Sequence, residues 1–161
     1  MIINIVPVQR SHLPALKNMI DKLGLFPSEF LDGMMSDFFT NPATTDRWYT
    51  GLLDDHPITV VYFAPEKLTE GTHNLYLIAV DPDFEGKGIG SYLLKFVENN
   101  LIQSGARVLI VETSGLPEFQ LTRKFYEKHG YHHEATIRDF YKDGDDKVVF
   151  WKKLKIDLLP L

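Results

Sequence analysis

The stretch that most constrains this 161-residue chain runs from residue 75 to residue 101, LYLIAVDPDFEGKGIGSYLLKFVENNL. Its opening, Leu75-Tyr76-Leu77-Ile78-Ala79-Val80, is an apolar run with the length and composition of a buried strand. Asp81-Pro82-Asp83 breaks that run. Ile89, Leu93, Phe96, Val97 and Leu101 then fall on one helical face. The spacing therefore predicts a helix opened by Glu85-Gly86-Lys87-Gly88-Ile89-Gly90. A strand feeding a glycine loop at a helix start presents backbone N–H groups at the positive end of the helix dipole, which makes a phosphate site. Gly86, Gly88 and Gly90 let the backbone approach an anion closely because no Cβ intervenes. Lys87 adds a mobile cation.

The spacing decides which kind of glycine loop this is. The Walker pattern G-x-x-x-x-G-K-[ST] fails, since Asp81 stands where its first glycine belongs and Gly88 follows Lys87. The dinucleotide pattern G-x-G-x-x-G fails as well, since the glycines alternate and position 91 is Ser91. What fits is V-x-P-x-x-x-G-x-G-x-G. On these residues the chain resembles the GCN5-related N-acetyltransferase (GNAT) superfamily, whose pyrophosphate motif Q/R-x-x-G-x-G/A follows a strand ending Val-x-Pro. Val80, Pro82, Gly86, Lys87, Gly88, Ile89 and Gly90 are in place. Glu85 departs from the usual Gln or Arg, so its side chain is expected to point away from the phosphates while the backbone cradle is kept.

The length predicts one domain, residues 1–161, with room for a full core. A hydrophobic content of 44% and a charged content of 24% are those of an ordinary soluble globule. The chain has no cysteine, which removes disulfides, thiolate metal sites and a cysteine nucleophile together. A net charge of −5 argues against a nucleic-acid partner and is compatible with a cationic amine. The start, MIINIVPVQR, lacks the basic stretch of a secretory signal, and no apolar run has membrane-spanning length. The expected setting is cytoplasmic, away from membranes; a monomer and a homodimer both stay open.

In chain order, residues 2–6 read as a strand stopped by Pro7. Ser11 is placed to cap a helix striped by Leu13, Leu16, Ile20 and Leu23 and ended by Gly24. A second helix after Pro27-Ser28 carries two apolar rows: Phe30, Met34 and Phe38, then Leu31, Met35 and Phe39. That wide face is expected to be core packing, with part of it walling a substrate pocket. Residues 47–53 and 58–63 read as a hairpin around a turn at 54–57. After the long helix, Gly105 and a strand over 107–113 complete a strand–helix–strand crossover, so its two strands should be parallel. A shorter helix ends at Gly130. Strands over 131–141 and 147–154 flank an acidic turn at 143–146. The order implies a mixed α/β fold. The resemblance implies a mostly antiparallel central sheet with flanking helices, splayed between its fourth and fifth strands, with the pantetheine arm in the cleft.

A second block strengthens the resemblance. The segment RKFYEKHGY at 123–131 is similar to the family's A-x-x-[LF]-Y-x-x-x-G-[FY], with Phe125, Tyr126, Gly130 and Tyr131 matching. Thr122 replaces the usual Ala, and Phe119 replaces an Asn that can bond the cofactor arm. The resemblance implies acetyl-CoA as co-substrate, no metal, and a primary amine of a small molecule, peptide or protein as acceptor. It implies that the loop at Gly86, Lys87, Gly88, Ile89, Gly90 and Ser91 holds the pyrophosphate, that backbone at Ile78, Ala79 and Val80 pairs with the pantetheine arm, and that Phe125 lies against the cofactor. With no cysteine and no G-x-S-x-G elbow, direct attack by the amine is the simplest chemistry. Tyr126 occupies the position that gives a proton to the leaving sulfur, as a phenol with a pKa of ~10 can at neutral pH. Glu112, near the end of its strand, is the candidate base; ribosomal-protein N-terminal acetyltransferases carry a Glu on the matching strand. His129, His132 and His133 straddle a turn and read as surface residues rather than metal ligands. The rivals are a non-catalytic CoA-binding module of the same fold and a nucleotide-binding domain.

Overall fold

The structure is a computed structural model and describes residues 1–155. The described residues form two compact units, Met1–Ala64 with Tyr76–Leu94, and Pro65–Leu75 with the residues from Lys95 onward. The strand and helix of the opening stretch, β5 (Thr72–Val80) and α4 (Ile89–Gln103), each start in one unit and end in the other.

In the first unit, β1 (Asn4–Pro7) runs antiparallel to β2 (Arg47–Leu53), which pairs antiparallel with β4 (Thr59–Pro65). β1 ends at Pro7 as expected, with Pro7 itself the last paired residue, opposite Tyr49. A proline is tolerated there because β1 is an edge strand and its outer side has no ladder to donate to. The turn expected at 54–57 is shorter, because His56–Pro57 forms its own small strand, β3, against β2. The helix α1 (Leu13–Leu23) starts later than its sequence signal: Ser11 lies inside a 3-10 turn, Arg10–His12. Gly24 ends the helix as expected.

The expected single second helix is two short ones, α2 (Phe30–Met34) and α3 (Ser36–Thr40), parted by a turn residue, Met35, at φ −93° and ψ −1°. Its apolar face is mostly core. Leu31 and Met35 are fully buried with Leu16, Met19, Ile20, Trp48, Val60 and Ala79, and Met34, Phe38 and Phe39 pack partly buried against them. Phe30 is 55% exposed.

In the second unit, β5 pairs parallel with β6 (Val108–Ser114), from Thr72↔Val108 to Leu75↔Val111, as the crossover rule requires. The strand thus begins three residues before the apolar run, at the polar Thr72, His73 and Asn74, which the pairing orders. β6 pairs antiparallel with β8 (Asp145–Lys153), and β8 with β7 (His132–Lys142). The helix α5 (Gln120–Lys128) precedes β7. The β7 side chains are all exposed, and its register breaks between Ile137 and Lys142. The strand order β1-β2-β4-β5-β6-β8-β7, with β3 beside β2, makes the mixed, mostly antiparallel sheet with flanking helices that the sequence implied.

Candidate active site

The candidate anion loop belongs to the first unit. After β5, Asp81 turns the chain. Its carboxylate accepts from the Asp83 amide at 3.0 Å and from Lys22 of α1 at 2.8 Å. Burial alone would push the Asp81 carboxyl up; the bonds from Lys22 and the Asp83 amide outweigh it and hold the group below the ordinary value. Lys22, bonded to Asp81 and to Asp83 at 3.1 Å, is held above its ordinary value. This tie fixes the start of the glycine loop.

Gly86 and Gly88 have φ of +73° and +78°, a region that side-chain-bearing residues avoid. A Cβ built on either would meet no atom within 4 Å, so both face open space. The Gly88 carbonyl accepts from the Tyr92 amide at 3.1 Å, so the helix opens at the loop, and the amides of its first turn have no acceptor within the helix. Glu85 and Lys87 are exposed, and the Lys87 ammonium stands 5.7 Å from the Phe84 ring centre. Ile89 is buried and Ser91 half-buried. On β5, Ala79 packs into the core while Ile78 and Val80 are half-buried. A loop at positive φ, open where Cβ atoms would stand, at the N-terminus of a 15-residue helix, has the form of an anion-binding turn.

The second unit holds the two candidate catalytic side chains. Tyr126 on α5 is 3% exposed. Its ring stands edge-on to Phe125 and Tyr131, at 5.3 and 5.7 Å between centres, and is tilted on Phe150 at 5.6 Å. Its hydroxyl has no hydrogen-bond partner among the described residues. Burial pushes the phenol well above its ordinary pKa, so it is protonated across the neutral range. Arg123 of α5 ties the helix to the end of β6 and the turn after it, donating to the Ser114 and Leu116 carbonyls at 2.7 and 2.8 Å. Phe119 lies in the 3-10 turn Pro117–Phe119 ahead of α5.

Glu112 sits on β6 opposite Val149. One carboxylate oxygen accepts from Asn74 Nδ2 at 3.2 Å, and the other pairs with Lys147 Nζ at 2.8 Å. The Lys147 ammonium also covers the Phe140 ring at 3.9 Å. The neighbouring register pair is Val111↔Phe150, and Phe150 carries Tyr126. Successive strand residues point to opposite faces, so Glu112 and Tyr126 lie on opposite faces of this sheet.

His132 and His133 are exposed, while His129 is half-buried with its ring 4.6 Å from Phe125. Burial, then the neighbouring Lys128, holds the His129 imidazole below its ordinary value. Among the described residues no group of three His, Cys, Asp or Glu side chains is placed to hold a metal ion.

Two features escaped the sequence reading. Lys147 and Asn74 carried no motif. Glu98 did carry a signal: it stands between Leu94 and Leu101 at helical spacing, a carboxylate on a row of core positions.

Comparison with known proteins adds to this geometry. Residues 45–133, more than half of the chain, match the family model of the acetyltransferase (GNAT) domain. The chain is 34% identical over 86 residues to an uncharacterized N-acetyltransferase, MJ1530, of Methanocaldococcus jannaschii; the match covers 52% of this chain and 53% of that protein, so it spans about half of the relative's length. Among solved structures, a proposed GNAT-family acetyltransferase from Desulfovibrio desulfuricans superposes with a TM-score of 0.87 at 28% identity, over 96% of this chain and 100% of the other. The ribosomal-protein-S18-alanine N-acetyltransferase of Escherichia coli gives 0.76 at 18% identity over 99% of this chain and 100% of the other. An aminoglycoside 6'-N-acetyltransferase complexed with coenzyme A gives 0.75 at 16% identity over 100% of both chains.

Proposed function

The chain belongs to the GNAT acetyltransferase family, and from that premise we propose that it is an acetyl-CoA-dependent N-acetyltransferase, read as one catalytic domain over residues 1–161, acting on a primary amine by direct attack. The observation that carries the reading is the open positive-φ loop at Gly86 and Gly88 on the start of α4. Backbone amides there, with Lys87 and Ser91, would hold the diphosphate; Ile78, Ala79 and Val80 would offer backbone to the pantetheine arm, and Phe125 its ring. Bound acetyl-CoA supplies the activated thioester carbonyl.

The chain's own groups then have two proton tasks. A free lysine-like amine, with pKa near ~10.4, is almost wholly protonated at neutral pH and must lose a proton before it attacks. As the new C–N bond forms and the C–S bond breaks, the leaving sulfur needs a donor. Tyr126 is assigned the second task. Held above its ordinary pKa, it is a hydrogen-bond donor first and a proton donor second. A thiol of ordinary pKa near ~8.5 is the stronger acid, so full transfer is favourable only as far as the same dry surroundings raise the thiol too. Glu112 is assigned the amine proton. It lies on the other face of the sheet from Tyr126, while the amine nitrogen and the sulfur bond the same carbonyl carbon, so Glu112 would act through water and must first leave Lys147.

The acceptor class is the primary amine. Two solved structures of the same fold are named as acetyltransferases of a ribosomal-protein alanine and of an aminoglycoside 6' nitrogen. The test is thiol release from acetyl-CoA with a panel of amines and peptides. Amine-dependent release is expected. Tight CoA binding with no release on any amine would make the protein a CoA-binding module of the same fold, and a Tm rise with ATP or NAD as large as that with CoA would remove the CoA site itself.

A further inference from the structure

We propose that Glu98 is a positioning residue for Tyr126, acting through Lys152 and Tyr131; the proposal rests on Tyr126 serving the leaving sulfur. The Glu98 side chain is only 7% exposed. Both its oxygens take Lys152 Nζ, at 3.1 and 2.9 Å, and the oxygen at 2.9 Å also accepts the Tyr131 hydroxyl at 2.8 Å. The same Lys152 ammonium donates to the His129 carbonyl at 2.9 Å. That carbonyl lies at the C-terminal cap of α5, where backbone acceptors lack partners and the helix dipole favours a cation. The Tyr131 amide donates to the Tyr126 carbonyl at 3.0 Å, and the Tyr131 ring stands edge-on to the Tyr126 ring. One carboxylate on α4 therefore fixes both the end of the helix that carries Tyr126 and one of the rings that Tyr126 leans on.

The reason such fixing matters lies in Tyr126 itself. Its hydroxyl is held by no hydrogen bond among the described residues, so only the ring's packing aims it. A buried ion pair is a poor source of stability, because desolvation offsets its attraction, and well-packed apolar replacements are often as stable. Nothing in the core's own packing requires a charge at position 98. The alignment of α5 against β8 does: apolar groups would fill the space without setting a direction, whereas three hydrogen bonds from two donors, Lys152 and Tyr131, converging on one carboxylate set it to within hydrogen-bond tolerance.

The experiment measures kcat, KM for acetyl-CoA and Tm for Glu98→Gln and Tyr131→Phe, each alone and combined with Tyr126→Phe. Glu98→Gln should lower kcat by about 10- to 100-fold, the size of a roughly 1 Å misplacement. KM and the CoA-induced rise in Tm should hold. In the Tyr126→Phe background the same substitution should cost nothing further, since the group it aims is gone. Tyr131→Phe should behave alike with a smaller loss. An equal loss in both backgrounds, or an unchanged kcat with a lower Tm, overturns the proposal. If Glu98→Gln fails to fold, Glu98→Leu with Lys152→Met removes both charges at once; a folded protein with wild-type kcat then overturns it, and one with reduced kcat sustains it. Wild-type turnover in Tyr126→Phe alone would instead remove the parent assignment, and this proposal with it.

Discussion

The glycine loop of the first unit and Tyr126 of the second unit are fixed by different means. At Gly86 and Gly88 the proposed functional group is the backbone. Its shape comes from residues that lack a Cβ, its surroundings are open, and its anchor, the Lys22–Asp81 tie, sits beside it. Tyr126 is a side chain, 3% exposed, aimed by rings from α5, β8 and Tyr131 and indirectly by a carboxylate on α4. A site made of backbone tolerates changes of side chain and fails when its dihedrals are forced. A site made of one aimed side chain fails when one atom is removed, even where nothing moves.

The sharpest way to break that contrast is Tyr126→Phe. One oxygen without a partner is lost and the ring packing stays, so Tm should hold within a degree or two while kcat falls by ~10²- to 10⁴-fold. A wild-type rate would leave Tyr126 as packing. In the wild type, burial keeps the phenol protonated, so any alkaline limb of the kcat profile below about pH 10 must belong to another group.

Glu112→Gln comes next. If the carboxylate takes the amine proton, kcat/KM should drop by about 100-fold at neutral pH and partly recover at high pH, where neutral amine is plentiful. A variant that tracks the wild type at every pH but unfolds more easily assigns Glu112 to the Lys147 ion pair instead.

At the loop, Gly88→Val should leave the fold intact, because the new Cβ meets nothing, yet force a β-branched residue to φ +78°. Strain of ~1–3 kcal/mol corresponds to about 10- to 100-fold in CoA affinity if the loop relaxes to escape it. Lys87→Ala should cost less than Gly88→Val, its share shrinking as salt is added. The reverse ranking would show a site made by the lysine rather than by the backbone.

The smallest effect concerns the tie itself. Asp81, held below its ordinary value, contributes stability that is present at neutral pH and lost as pH falls below about 4, through its lowered folded value. Lys22, held above its ordinary value, contributes at neutral pH and loses that contribution as pH rises through its raised folded value. Asp81→Asn should therefore lower Tm modestly at pH 7, and the gap to wild type should close below about pH 4. A gap that persists into acid would mean the side chain acts by shape alone.

The sequence by itself determined what rests on local order: the parallel crossover of β5 and β6, the glycine loop opening α4, and the Phe125-Tyr126 and Gly130-Tyr131 block at the end of α5. The first two rest on periodicity and on glycine where a dihedral demands it, both visible within a few positions; the third was legible as a resemblance to the family. Tertiary structure decided the rest. One expected helix is two, parted at Met35, a residue buried in the core with Leu31 and Trp48. Thr72, His73 and Asn74 became strand because β6 offered them a ladder. Lys147 reached Glu112 from a strand 35 residues away in the chain, and Glu98 met Lys152 across 54 residues. Such pairs have no spacing to read, since a charge is indifferent to sequence separation and answers only to distance and burial.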